Sequence, residues 1–395
     1  MFAPLTDIRV LDLSRVLAGP WASQILADLG AEVIKVERPG TGDDTRAWGP
    51  PQLGGCNGAS AYFLACNRGK KSVTVDLALP EGRDLIRALA KKSDVLIENF
   101  KVGGLAGHGL AYTDLQLPQL IYCSITGFGQ DGPFKDQAGH DFVIQALGGL
   151  MSLTGDAQGD PQKVGVAIAD LMAGMYAVVA VLSALADRAR TGKGQYIDLS
   201  LLDCQVAMLA NQAMNYLVSG QTPARLGNAH PNIVPYQSFV TTDGEIIIAV
   251  GNDEQFAKFA QIIGRPALAD EYPTNPHRVR NRNSLVPLIA ERLELRESRE
   301  WLAEMAEAGI PCAPINDLEA VFAHPQVRAR GLAESMAHGR LGTIPTVRGP
   351  MRFSGAVATA SRPPPDLGEH TSEVLHDVLG LDPDVIADLR LQGVV

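Results

Sequence analysis

Cysteine, aromatic residues and positive charge are all scarce in this sequence. Five cysteines occur in 395 residues, an odd number with no C-x-x-C pair, which argues against a disulfide scaffold or a thiolate metal site. Reduced thiols in a cytoplasmic protein are expected. Among the eight histidines no H-E-x-x-H or H-x-x-x-H pair occurs, so no resident metal is expected. A serine hydrolase is disfavoured too, because no G-x-S-x-G elbow follows a strand. The formal net charge of -10 speaks against a nucleic-acid backbone or an anionic membrane as the main partner. Any anionic ligand must be met by a local cationic patch. The opening MFAPLTDIRVLDL has no basic stretch followed by a long apolar one, so no signal peptide is expected. The longest apolar run, Leu171 to Ala186, is shorter than the roughly 20 residues that span a bilayer and reads as a buried helix.

What is present is a globular composition, 46% hydrophobic and 20% charged, in a chain long enough for two domains. The β-rich runs Ile8–Leu13 and Glu32–Glu37 flank a helical stretch, Trp21–Leu29, and form a βαβ unit. The pattern continues with strands at Ser72–Asp76, Val95–Glu98, Ile121–Ile125 and Gln195–Leu199. Helices are expected at Pro80–Ser93, near Thr113, and over Leu201–Val218. Alternation of this kind predicts an α/β fold with a doubly wound, Rossmann-like parallel sheet and ligands at the carboxyl ends of its strands. The character changes at Arg225, where a hairpin turning at Asp243-Gly244 is followed by three helices. The expected organisation is a large domain (1–224), a smaller α+β domain (225–330) and a C-terminal return to the large domain (331–395).

One loop imitates a dinucleotide fingerprint. Gly127, Gly129 and Gly132 satisfy G-x-G-x-x-G after a strand, but Pro133 and FKDQ stand where the fingerprint needs a helix. A tight loop beside a ligand is the better reading.

The residue that invites a chemical reading is Asp170, alone at the head of the apolar stretch 164–189. As a helix N-cap it would accept a backbone N–H and suit the helix dipole. Donors of that kind would also keep it ionised, and a desolvated carboxylate is a potential nucleophile, so both readings stay open. A run of cations without an acid, Asn67-Arg68-Gly69-Lys70-Lys71-Ser72, suits phosphate or serves as a solvated basic turn.

The segments RVLDLSRVLAGPWASQILADLGAEVIKVERPGTGDDTR (9–46), NRGKKSVTVDL (67–77), VLIENF (95–100), SITGFGQDGP (124–133), GVAIADLMAGMYA (165–177), TGKGQYIDLSLLD (191–203), PYQSF (235–239) and RPPPDLGEHT (362–371) resemble the class III CoA-transferases. That family includes formyl-CoA transferase, carnitine CoA-transferases and the α-methylacyl-CoA racemases. The resemblance implies an interlocked homodimer and coenzyme A or acyl-CoA as substrate, with no permanently bound cofactor. It implies that Asp170 is the nucleophile carrying the acyl group and then CoA, with Gly227 in a mobile loop beside the oxyanion. CoA contacts carry over to Leu17, Ala18, Arg38, Asn67, Lys70, Lys71, Asn99 and Phe100. Gly107 stands where formyl-CoA transferase has a CoA-contacting arginine, and Leu17 replaces its polar residue, which argues against oxalate or formate. SRVLAGP, GDDTR and RPPPDLGEHT look more like transferases that move CoA from succinyl-CoA to malate, glutarate or itaconate. For such substrates Arg15, Arg46 and Arg225 are candidates to hold the second carboxylate. His140, followed by Asp141, resembles the racemase branch, in which it and Asp170 would be the two bases at the α-carbon. A 2-methylacyl-CoA epimerase and a non-catalytic CoA-binding protein are therefore the alternatives.

Overall fold

The structure, a computed structural model, describes residues 3–55, 58–360 and 362–395; Cys56 lies outside the described residues. Two compact units are formed, one from Met1–Leu150, Val164–Val218 and Gln326–Val395, the other from Met151–Lys163 and Ser219–Pro325.

In the first unit the β-branched runs become six strands: β1 (Arg9–Asp12), β2 (Glu32–Glu37), β3 (Lys70–Thr74), β4 (Val95–Glu98), β5 (Ile121–Thr126) and β6 (Tyr196–Ser200). All pair in parallel, in the spatial order 3-2-1-4-5-6. That order reverses beside β1 and opens a crevice at the carboxyl ends of the strands. Strand β3 starts at Lys70, earlier than its apolar residues suggest, because Val33 to Glu37 of β2 pair with Lys70 to Thr74.

Helix α1 (Ala18–Asp28) follows β1 and α2 (Ala61–Cys66) precedes β3. Helix α3 (Pro80–Lys91) has proline in its first turn and buries Leu85, Ile86, Leu89 and Ala90, one apolar stripe. After β5 come α4 (Asp141–Leu147) and the 24-residue α5 (Ile168–Thr191), which stops at Gly192 in the left-handed conformation (φ 72°). No helix follows Gly132 before α4, so the glycine triplet lacks the element a dinucleotide fingerprint needs. Gly127 instead packs on Gly139, where a Cβ would lie 2.5 Å from the Gly139 Cα.

Helix α5 is not wholly buried, as the run of apolar residues suggested. Ala169, Ala173, Gly174, Ala177, Val178, Val181 and Ala184 form its buried face, while Met175, Tyr176 and Val179 are exposed. At 24 residues it is long and apolar enough to cross a membrane by length and composition alone. Its small-residue face explains its place in this fold. Gly174 lets α1 approach so closely that a Cβ there would stand 2.8 Å from the Ala18 carbonyl oxygen. The helix expected over Leu201–Val218 is two, α6 (Leu201–Met208) and α7 (Ala210–Ser219), broken where Ala210 takes φ 45°.

The C-terminal segment adds a hairpin (Ala333–His338 with Gly342–Val347) and a helix (Thr371–Asp377) at the β3 edge, where the Thr371 hydroxyl accepts the Thr74 N–H. The second unit is built on an antiparallel sheet, β7 (Tyr236–Val240), β8 (Glu245–Ala249) and β9 (Cys312–Pro314), with Phe239, Ile246, Ile248, Phe256, Phe259 and Trp301 in its core. Its β7–β8 turn is at Asp243-Gly244, as the sequence predicts.

Candidate active site

Asp170 is the third residue of α5 and not its N-cap. The cap position is Ala167, whose side chain accepts nothing; the carboxylate that caps the helix is Asp141, whose Oδ1 accepts the Ala169 N–H at 2.8 Å. Asp141 is steadied by Gln145, whose Nε2 donates to Oδ2 at 2.7 Å while its Oε1 accepts the Val164 N–H at 2.9 Å. This strut reverses the electrostatics expected of Asp170. Burial, and then the Asp141 charge beside it, push the Asp170 carboxyl up to about 7. The helix-end donor is used by Asp141, so Asp170 is left with the desolvation and without the hydrogen bond. Among the described residues Asp170 has no ion pair or side-chain hydrogen bond, and a carboxyl raised in this way marks a candidate functional site.

Around the end of β1 the chain is held by saturated ionic contacts. Lys35 and Asp43 pair at 2.9 Å with no side-chain exposure, and Lys35 also donates to the Ser14 carbonyl at 3.0 Å. Burial alone would raise the Asp43 carboxyl, but the Lys35 charge and hydrogen bonds from Thr45 bring it down to about 2. Asn99, at the end of β4, accepts the Arg15 N–H at 2.8 Å and donates to the Arg15 carbonyl at 2.7 Å. The expected contacts Leu17 and Ala18 are buried where α1 begins.

Beside this turn lies a cavity of about 250 Å³ lined by Arg15, Lys35, Arg38, Phe100 and His108, with Val75 to Ala78 along its β3 side. It sits at the carboxyl ends of β1 to β4, where the fold predicts a ligand. The Arg15 guanidinium lies 5.6 Å from the centroid of the Phe100 ring, and both Arg15 (41% exposed) and Arg38 (55%) share Asp44 as counter-ion. Half-exposed pairs of this kind contribute little to stability and yield to an incoming anion. Val75 to Ala78 and His108 escaped the sequence reading. Their position directly after a strand end and beside Gly107 was the signal that could have found them.

The run at 67–71 differs from the expectation of unpaired cations. Arg68 pairs with Asp28, Lys70 with Asp12 at 3.2 Å, and Lys71 with Glu32 at 2.7 Å and Glu373 at 2.9 Å. The acids were missing only from the local sequence and arrive from α1, β1, β2 and the C-terminal helix. Asn67 and Lys70 are fully buried, Asn67 accepting from the Lys70 ammonium at 2.8 Å. In this structure they brace the sheet.

The three arginines expected to bind carboxylate also part company. Arg46 holds both oxygens of Glu37 at 2.7 Å and stacks 3.7 Å over Phe63. Arg225, in the second unit, donates to the carbonyls of Asp156 and Gly159. Of the three, Arg15 is the one that lines the cavity. Gly227 is also in the second unit, in the left-handed conformation (φ 58°), with open space where a Cβ would stand and its N–H on the Gly155 carbonyl. His140 is exposed directly before α4, and its ring caps nothing.

A six-stranded doubly wound parallel sheet with a crevice at its strand ends, lined in part by Arg15 and Arg38, defines an α/β protein of the class that takes ligands at that edge. The model of CoA-transferase family III matches residues 5–371. The chain is 50% identical over 382 residues to the succinate–glutarate CoA-transferase of Agrobacterium fabrum, covering 95% of this chain and 96% of that protein. Against the human succinyl-CoA:glutarate CoA-transferase it is 47% identical over 397 residues, 99% of this chain and 90% of that protein. A CAIB/BAIF family protein from Brucella suis superposes with a TM-score of 0.85 at 50% identity, covering 96% of this chain and 100% of that one. The chain belongs to CoA-transferase family III.

Proposed function

We propose that this enzyme moves CoA from succinyl-CoA to a small dicarboxylic acid, with glutarate the first acceptor to try. The observation that carries the mechanism is Asp170: a carboxylate at the start of α5 with its pKa pushed up to about 7 and its helix-end donor taken by Asp141. Relatives named for succinyl-CoA with glutarate, at 47–50% identity over nearly the whole chain, support the substrate pair.

The ionised Asp170 attacks the thioester carbonyl of succinyl-CoA, giving a succinyl–aspartyl anhydride and the CoA thiolate. The thiolate attacks the aspartyl carbonyl, releasing succinate and leaving an aspartyl-CoA thioester. The acceptor carboxylate attacks that thioester, and the returning thiolate takes its acyl group from the new anhydride, so Asp170 is regenerated. Every step exchanges acyl carriers of similar reactivity, and water must be kept from both intermediates. Each tetrahedral intermediate needs donors aimed at its oxyanion, each worth about 3 kcal/mol. The N–H groups at Leu17 and Ala18 are assigned that work.

In this reading the cavity at Arg15, Arg38, Phe100 and Val75 to Ala78 receives part of CoA, with Asn99 fixing the backbone of Arg15. Arg38 meets a phosphate and exchanges Asp44 for it. Arg15 takes either a phosphate or the second carboxylate of the acid. Arg46 and Arg225 have structural duties that count against a substrate role. His140 lines the site without acting as a base.

We also propose a homodimer with interlocked chains in the cytoplasm. Exposed apolar residues on α4 (Phe142, Val143, Leu147), α5 (Met175, Tyr176, Val179) and α7 (Met214, Leu217, Val218) support a second copy as their cover.

Incubation with succinyl-CoA and a panel of dicarboxylates should yield new CoA thioesters, and hydroxylamine should trap an acyl group on Asp170. Exchange with no acceptor would sink the reading. A particle of one-chain mass in light scattering would remove the dimer.

A further inference from the structure

We propose that Asp43 is a positioning residue that holds Val16 in a left-handed backbone conformation and so fixes the start of α1 beside Asp170. The starting point is an outlier. Val16 has φ 70°, a region that β-branched residues avoid because Cβ crowds the backbone. Such a conformation persists only where its surroundings over-determine it.

Here they do, one residue at a time. The Ser14 carbonyl accepts from Lys35, and both backbone groups of Arg15 are clamped by the Asn99 amide. The Val16 N–H points between the two Asp43 oxygens, 3.3 Å from each. Asp43 is itself immobilised by the Lys35 ammonium at 2.9 Å, by the N–H and hydroxyl of Thr45 at 3.0 and 2.8 Å, and by its own N–H on Glu37 at 3.0 Å. The turn needs this conformation to reach α5. Over Leu13 to Leu17 the chain leaves β1, enters α1 and brings the Ala18 carbonyl against Gly174, one turn beyond Asp170. A relaxed Val16 would carry Leu17 and Ala18 away from the carboxylate they serve. Displacement of about 1 Å at a reacting centre costs on the order of 100-fold in rate.

This inference rests on Asp170 being the nucleophile, and the experiment separates the two. Asp43→Asn keeps the shape and one acceptor oxygen while removing the charge, and Val16→Gly removes the steric penalty of positive φ. With Val16 in place, Asp43→Asn should lower kcat about tenfold with the Kd for free CoA changed less than about threefold. Added to the Val16→Gly variant, the same substitution should cost less than about threefold, because glycine holds the turn without help. Equal losses in both backgrounds, or a loss wholly in CoA affinity, would overturn the proposal. If Asp43→Asn does not fold, the cycle is repeated with Lys35→Met/Asp43→Asn, which removes both charges. Failure of that pair to fold would make Asp43 a folding element and end the proposal. Absence of CoA exchange in the wild-type enzyme would instead remove the mechanism on which it rests.

Discussion

Asp43 and Asp170 belong to the same unit and are both largely withdrawn from water, yet they titrate at opposite ends of the carboxylate range. Asp43 faces Lys35 and accepts hydrogen bonds from Thr45, which together overcome burial and hold it down to about 2. Asp170 has comparable desolvation, a second aspartate as its nearest charge, and a carboxyl pushed up to about 7. Burial is therefore common to both: unopposed it carries Asp170 up, while Lys35 and Thr45 overturn it at Asp43. The difference lies in partners: one acid has a dedicated ammonium, and the other has lost its helix-end donor to Asp141. Asp43 is saturated, while Asp170 has no ion pair or side-chain hydrogen bond among the described residues.

The comparison breaks most directly at Asp170. Asp170→Asn should reduce CoA exchange by at least about 1000-fold, measured as new thioester by chromatography, because the amide cannot act as the carboxylate nucleophile. At Asp43 the matching change is in stability. Lys35→Met leaves an unpaired charge next to Asp12 and Glu37 and should cost about 3 kcal/mol by urea unfolding. An undiminished midpoint would show that this pair is not saturated in the way the geometry implies.

Asp170→Asn should behave oppositely in the fold. Its folded-state pKa lies above the unfolded one, so ionising it costs stability. That cost is absent below about pH 4, grows as pH rises to about 7 and is complete above, so at pH 8 the asparagine variant should be more stable by up to about 4 kcal/mol. A stability difference between variant and wild type that is the same at pH 4 and pH 8 would remove this account of Asp170.

The same pKa predicts that kcat/KM rises with pH through about 7 as Asp170 ionises. Asp141→Asn removes the neighbouring charge and should move that limb about one unit lower, while an unmoved limb would assign the shift to burial alone. The smallest effect is expected at His140. His140→Ala should lower exchange only about threefold, whereas loss of all activity would revive a base at that position.

Much of the fold was legible because its signals are local. Alternating β-rich and helical runs marked β1, β2, β4 and β5 nearly to the residue, and Asp243-Gly244 marked its own turn. Motifs spread along the chain pointed to the family whose model matches it. What failed were statements about partners distant in sequence. The cations at 67–71 lacked an acid within the run and found four, Asp12, Asp28, Glu32 and Glu373. Asp170 looked like a cap because nothing nearby in sequence competes for the helix end. Asp141 reaches that end from the preceding helix and displaces it. Val16 gave no sign of positive φ, since valine prefers the extended conformation that a strand end suggests.

The sequence by itself determined the strand and helix pattern, the family and the carboxylate at position 170, because periodicity, turn chemistry and motif spacing are properties of neighbouring residues. Only the tertiary structure decided which acids are saturated and that Asp170 carries a raised pKa. A pKa is set by burial and by charges that folding brings together, and Lys35 meets Asp43, as Asp141 meets Asp170, only when the sheet and its helices have formed.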